Sequence, residues 1–390
     1  MAAEPFTIAI PEEALEDLRT RLRQTRWATD FGNDDWRYGA NEEYLHEFVD
    51  YWLNNYDWRE QEKKMNSFAN FRTEIDGVPI HFIHEKGKGP NPTPLILTHG
   101  WPWTFWDLNE VIRPLTDPAS FGGDPEDAFD VIVPSLPGFG FSTPLRKTGV
   151  QPVQTADLWL KLMRDVLEYD RFGAQGGDWG AFVTAQLGHK YPEHLMGIHM
   201  TLPWLLGEGG FMPASADDYG PGEEDWFEQM NTRMQSAASH VAVHSNDPQT
   251  LAYAMNDSPV GLAAWLIERR RNWSDCDGDI EKSFTKEHLI NTVMIYWLTE
   301  SFSTTVRYYW ENARAPWTAS HDRKPTIETP TAIAVFPREL ILVPRKLAEE
   351  RTNLQRWTLM PSGGHFAPAE EPELVVEDLR AFFRTIKSAE

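Results

Sequence analysis

Five consecutive residues, Gly176-Gly177-Asp178-Trp179-Gly180, carry the sharpest chemical signal in the chain. They follow the apolar run 172–175 and precede a helical stretch at 181–189. Small residues flanking a reactive one, between strand and helix, allow a turn tight enough to project the central side chain at the helix N-terminus. The central residue here is an aspartate. A carboxylate presented in this way can attack an sp³ carbon and form an ester that water later cleaves. The plainer reading of the same five residues is a Gly-rich turn whose aspartate caps the following helix.

Two further loops favour the chemical reading. Leu95-Ile96-Leu97-Thr98 runs into His99-Gly100-Trp101-Pro102. In α/β-hydrolases a loop at this place lends one backbone N–H to an oxyanion hole, and the residue after the nucleophile lends the other. The amides of Trp101 and Trp179 are the ones so placed; Pro102 has no N–H, and Gly100 permits the turn. His99 reads as a structural residue of that loop. Ser142, at the end of Pro134 to Ser142, lacks the flanks of an elbow and reads as loop structure.

Near the C-terminus, the run 333–336 ends in Pro337-Arg338-Glu339, and the next strand ends in Ser362-Gly363-Gly364-His365-Phe366. A carboxylate and a histidine at successive strand ends complete the chain order Asp, Glu, His of α/β-hydrolase triads. His365 would then activate water, and Glu339 would orient its imidazole.

These loops need a scaffold. Residues 1–70 are predicted to form a helical extension, with helices after Pro11 and over 42–54. A hairpin over 71–84 turns at Asp76-Gly77. Short apolar runs at 94–97, 129–133 and 172–175, separated by helical stretches such as 155–169, predict a mostly parallel, doubly wound α/β sheet. From 201 to 315 the pattern is helical (226–241, 251–271, 286–312), which suits a cap inserted over the carboxyl ends of the strands. Strands return at 331–336 and 355–360, and a helix over 374–387 closes the chain. The expected division is an extension (1–70), a core in two parts (71–200 and 316–390) and a helical cap (201–315).

Composition excludes several classes of function. Thirty-six basic against 59 acidic residues give a net charge of −23, which repels nucleic acid and anionic lipid. The lone Cys276 rules out an intramolecular disulfide framework and any multi-cysteine metal site. No apolar run reaches the length of a membrane span, and residues 1–10 lack the pattern of a secretory signal, so a cytoplasmic protein without a membrane partner is expected. Seventeen tryptophans against 11 tyrosines suit a bulky apolar pocket as well as a bulky core. A homodimer is compatible with the sequence.

The helical extension, His-Gly-Trp-Pro, Gly-Gly-Asp-Trp-Gly, Asn256-Asp257-Ser258-Pro259-Val260-Gly261, Arg307-Tyr308-Tyr309-Trp310-Glu311-Asn312, Phe336-Pro337-Arg338-Glu339-Leu340 and Gly363-Gly364-His365-Phe366 together resemble the microsomal-type epoxide hydrolases, in their soluble bacterial and fungal branch. The resemblance runs over nearly the whole chain, from about residue 5 to 385. It implies the α/β-hydrolase fold, Asp178 as nucleophile, His365 as general base, Glu339 as its partner and Tyr309 as donor to the epoxide oxygen. Tyr308 is the competitor for that last role, since adjacent helical positions point about 100° apart. It implies neither metal nor organic cofactor, and an epoxide as the substrate; the tryptophan excess points to a small-molecule epoxide that is apolar and bulky.

One position departs from the family. Its second cap tyrosine aligns sixteen residues before Asn256, on His240. His240 is therefore the candidate second donor, with ring opening on Tyr309 alone as the alternative. His244, one turn further, reads as a surface residue. Two rival functions use the same residues. A dehalogenase would hold its halide with the indoles of Trp101 or Trp179 together with His240 and Tyr309. A binding protein would keep the pocket without turnover, although it would have no use for a water-activating histidine.

Overall fold

The computed structural model describes residues 2–206, 215–315 and 317–389. The chain enters through a two-residue strand, β1 (Glu4–Pro5), followed by α1 (Glu12–Arg23), α2 (Glu42–Asn54) and α3 (Trp58–Met65). Acidic residues open α1, and the side chains of Asn41 and Asp57 cap the next two helices by accepting from the backbone N–H groups of Tyr44 and Arg59. Strands β2 (Asn70–Ile75) and β3 (Val78–Glu85) form the hairpin across Asp76-Gly77. The extension is not purely helical, because β1 pairs antiparallel with β2 and joins the sheet.

Alternation then sets in: β4 (Thr93–Thr98), α4 (Asn109–Thr116), β5 (Phe129–Pro134), α5 (Pro152–Lys161), β6 (Phe172–Gly176), α6 (Trp179–Lys190) and β7 (Leu195–Met200). β5 and β6 are buried along their whole length, as strands covered on both faces must be, which is why their sequences, apart from Asp130 and Gln175, lack polar residues and show no alternation. α5 is shorter than the expected 155–169; it passes into a π-helical turn at Leu162–Val166. β7 lies where no strand was expected.

Six helices lie between β7 and the next strand among the described residues: α7 (Trp226–Ala237), α8 (Ser239–Asn246), α9 (Pro248–Asp257), α10 (Pro259–Trp273), α11 (Lys286–Leu298) and α12 (Phe302–Arg314). Residues 207–214, inside the expected cap, and residue 316 are outside the described residues. The three long helical runs expected here are each divided. Pro248 and Pro259 start α9 and α10 at positions where a missing N–H costs nothing. The chain then returns through β8 (Ile327–Val335), α13 (Arg345–Arg351), β9 (Thr352–Leu359) and α14 (Ala367–Glu370) to the closing helix α15 (Pro372–Ala389).

The nine strands make one sheet in the order β1-β2-β3-β5-β4-β6-β7-β8-β9. It is antiparallel from β1 to β5 and parallel from there on. The strand order reverses at β4, with β5 on one side and β6 on the other, which opens a crevice beyond their carboxyl ends. Register places the site: Thr98 pairs with Gly176, so the loops after β4 and β6 emerge side by side. On the other flank, a bridge between Arg338 and Gly364 brings the loops after β8 and β9 together.

A buried ion pair fastens the helical block over this crevice. Arg270 on α10 holds Asp107, beyond the β4 loop, with Nη1 2.7 Å from Oδ1 and Nη2 2.9 Å from Oδ2. Arg270 also donates to the Pro102 carbonyl at 3.2 Å and lies over the Phe366 ring. Asp107 accepts in addition from the Thr104 backbone N–H and contacts His288 Nε2 at 3.0 Å. Burial opposes its charge, but Arg270 and His288 outweigh that and hold the carboxyl well below its ordinary range.

Candidate active site

Asp178 sits between β6 and α6 with φ 49° and ψ −128°, a conformation that L-residues seldom adopt. Close packing enforces it. A Cβ on Gly180 would come within 1.9 Å of the Thr98 carbonyl oxygen, and one on Gly100 within 2.1 Å of Asp178 Oδ1. Only glycine lets the β4 loop approach the carboxylate closely enough to touch it with backbone.

That contact is made. The Trp101 backbone N–H donates to Asp178 Oδ1 at 2.7 Å. Trp179, the first residue of α6, has an N–H with no intrahelical acceptor to reach, as at any helix start. His99 is buried and holds the loop: its Nδ1 lies 2.9 Å from the Gly100 carbonyl, and its Nε2 accepts from Leu136 N–H at 3.0 Å. Ser142 is also buried and bridges two segments, accepting from His81 N–H and donating to the Ser135 carbonyl.

The other carboxylate oxygen faces His365, with Nε2 3.3 Å from Oδ2. On the far side of the imidazole, Nδ1 lies 2.7 Å from Glu339 Oε1, which also accepts from Leu340 N–H at 2.5 Å. His365 is fully buried and Glu339 only 1 % exposed, so the glutamate is not the solvated strand-end residue its type suggests. Burial alone would lower the histidine's pKa; Glu339 and Asp178 more than reverse this and push it up to about 10. The resting group is thus an imidazolium between two carboxylates.

Tyr308 and Tyr309 part company. The Tyr308 hydroxyl is engaged with Thr155 Oγ1 at 2.7 Å. Tyr309 packs edge-on against Trp101 and Trp179, with ring centroids 5.8 and 4.7 Å away. Burial, and then the nearby Asp178 charge, raise its pKa well above the ordinary phenol value, so its hydroxyl keeps its proton to donate. His240 stacks on Trp101 at 5.1 Å, and its Nδ1 is 2.9 Å from the Ala237 carbonyl. His244 is not at the surface: it is fully buried, 4.6 Å from the Trp101 ring and 4.9 Å from that of Tyr309. Trp310, adjacent in sequence to Tyr309, instead turns outward beneath Arg314.

Several supports had no reading in the sequence. The Trp273 carbonyl at the end of α10 accepts from His365 N–H at 2.9 Å, and the Trp273 ring stands against the imidazole. Glu370 accepts from Phe366 N–H at 2.8 Å and from Asp275 N–H at 2.7 Å, tying the histidine loop to the segment after α10. Burial raises its pKa to about 7, against these two bonds. Asp275 in turn accepts from Gly363 N–H at 3.0 Å. The available sequence signal was a carboxylate five residues after His365, in a short turn that begins with Ala367-Pro368. Among the described residues, no group of three or more His, Cys, Asp or Glu side chains could hold a metal ion. No described helix is long and apolar enough to cross a membrane.

Comparison with known proteins shows the family and the fold. Residues 3–108 match the family described as epoxide hydrolase N terminus, and residues 93–256 match the alpha/beta hydrolase fold. Epoxide hydrolase 1 of Oryctolagus cuniculus is 36% identical over 97% of this chain and 88% of its own length. The structure of Aspergillus niger epoxide hydrolase superposes with a TM-score of 0.85 at 30% identity, covering 99% of this chain and 97% of that one. Juvenile hormone epoxide hydrolase of the silkworm Bombyx mori gives a TM-score of 0.87 at 26% identity, over 99% and 95% of the two chains.

Proposed function

The chain belongs to the microsomal-type epoxide hydrolase family, and on that premise we propose that it opens an epoxide through a covalent ester on Asp178 and releases a vicinal diol. The observation that carries this reading is the division of labour at one carboxylate. Asp178 Oδ1 is already held by the Trp101 N–H, and Oδ2 is left on the His365 side. Oδ2 is the nucleophile. It bonds to an epoxide carbon, the ring C–O bond breaks, and the electron pair moves to the ring oxygen, which takes a proton from Tyr309.

Ester formation also sets up the second half. It removes one of the two carboxylate charges that stabilise the His365 imidazolium, while burial continues to favour the neutral ring. His365 gives its proton to solvent, which restores the one Tyr309 lost. The neutral imidazole then takes a proton from water as that water attacks Cγ of Asp178, and Glu339 balances the charge. The tetrahedral oxyanion forms on Oδ1, where the Trp101 and Trp179 amides await it. Collapse passes the remaining acid proton to the diol oxygen, so the cycle ends with the carboxylate and imidazolium it began with.

Trp101, Trp179, Trp273 and Tyr309 around the carboxylate favour an apolar, bulky epoxide over a small polar one. A single turnover in heavy-oxygen water tests the mechanism. In the first turnover the new diol oxygen should come unlabelled from Asp178, and the label should appear in the aspartate. Label in the first-turnover diol would mean direct attack by water and would sink the covalent reading.

A further inference from the structure

Two imidazoles one helical turn apart on α8, His240 and His244, face the same aromatic wall formed by Trp101 and Tyr309. Burial, followed by like charge from neighbours such as Arg269, lowers the pKa of His240 to about 3 and that of His244 well below its ordinary value. Both rings are therefore neutral, and each carries a single N–H whose position its partner decides.

The partners decide in opposite directions. His240 Nδ1 is 2.9 Å from the Ala237 carbonyl, which can only accept, so the proton is on Nδ1 and Nε2 is left as a lone pair. His244 Nε2 receives the Trp265 indole N–H at 3.2 Å, and an indole N–H can only donate. The His244 proton is therefore on Nδ1. That nitrogen is buried, and no oxygen or nitrogen accepts from it among the described residues. A buried donor without an acceptor is a cost that an incoming acceptor removes.

We propose that His244, through Nδ1–H, is the second donor to the epoxide oxygen beside Tyr309, and that His240, at the position of the family's second tyrosine, is not a donor. The assignment rests on the ring-opening reading above. As Asp178 Oδ2 bonds to carbon, the electron pair of the broken C–O bond passes to the ring oxygen. Tyr309 protonates that oxygen, while His244 keeps its proton and stabilises the developing charge by hydrogen bonding. Trp265 is the positioning residue, because its indole holds the imidazole in the donating tautomer. His240 Nε2 adds an acceptor at the same wall, suited to a hydroxyl or amide N–H carried by the substrate.

The test measures the rate of ester formation on Asp178 with styrene oxide, followed by mass spectrometry in a His365→Gln parent that stalls the ester. His244→Phe keeps the ring packing and removes the N–H; it should slow ester formation about 100-fold, the usual cost of one such donor. His244→Gln, which restores an N–H, should recover most of that loss. His240→Phe should cost less than about fivefold on the same scale. Ester formation in His244→Phe at the parent rate, or a larger loss at His240 than at His244, overturns the proposal. A parent that forms no ester overturns the underlying reading and this proposal with it, so the two failures are distinguishable. Should His244→Phe not fold, ring-nitrogen NMR of histidine-labelled protein serves instead. The proposal requires His244 protonated at Nδ1, with that proton's resonance shifted by a primary amide bearing a carbonyl acceptor. An Nε2-protonated His244 contradicts it.

Discussion

The Trp101 backbone N–H holds Asp178 Oδ1 at 2.7 Å before any substrate arrives. In the proposed mechanism one oxygen of the carboxylate thus rests where the oxyanion of the second step would form, and the other is left to attack. Holding the group in place costs nothing at the moment of reaction, which is the advantage of preorganised backbone donors over mobile side chains. The strained elbow conformation of Asp178 and the glycines around it exist to bring these two atoms together.

The two adjacent cap tyrosines should separate cleanly under mutation. Tyr309→Phe removes the proposed proton donor and should lower kcat by about 10²-fold or more. Tyr308→Phe breaks only the bond to Thr155 and should cost about 1 kcal/mol of stability with turnover within threefold. Steady-state kinetics and thermal unfolding of both variants check this; a larger kinetic loss at Tyr308 would reverse the assignment.

His365 should make stability fall in alkaline solution. Its folded pKa is raised from 6.5 to about 10, so the imidazolium's contribution is complete below about pH 6.5 and is lost as pH rises through about 10. The Tm advantage of the wild-type chain over His365→Gln should therefore shrink between pH 7 and pH 10.5. A difference that stays constant over that range would mean that the histidine is neutral at rest.

The Arg270–Asp107 pair should behave as a buried bond that cannot be half removed. Arg270→Met strands the Asp107 carboxylate with only His288 beside it, and should cost about 3–5 kcal/mol in unfolding free energy. Arg270→Met with Asp107→Asn should recover part of that loss, because no uncompensated charge remains. Urea unfolding of the single and double variants decides it; additive losses would show that the two residues do not act as a pair.

What could be read from the chain and what could not follow from the range of the interactions. The elbow around Asp178, the His99 to Pro102 loop and the glycines before His365 are local patterns, each set by the sterics of a few neighbouring residues. β5 and β6 were legible because strands buried on both faces are mostly apolar, Asp130 and Gln175 being the exceptions. β7 was not, since Leu195 to Met200 carries Gly197 and His199; the latter is tolerated only because Asp378 on α15 lies 3.0 Å from it. The break at Pro259 was written locally but masked by the helical spacing that runs across it from 251 to 271. His244 was misplaced for a tertiary reason: the rings that bury it come from three separate segments, Trp101 from the loop after β4, Trp265 from α10, and Phe302 and Tyr309 from α12.

The central claim is that Asp178 carries the reaction as a covalent ester. Incubating the His365→Gln enzyme with styrene oxide and mapping the digested protein by mass spectrometry tests it directly. The expected result is one added substrate mass on the peptide containing Asp178, absent in Asp178→Asn and in an alkyl halide control. Diol formation without any adduct on that peptide, or an adduct on a different residue, would contradict it.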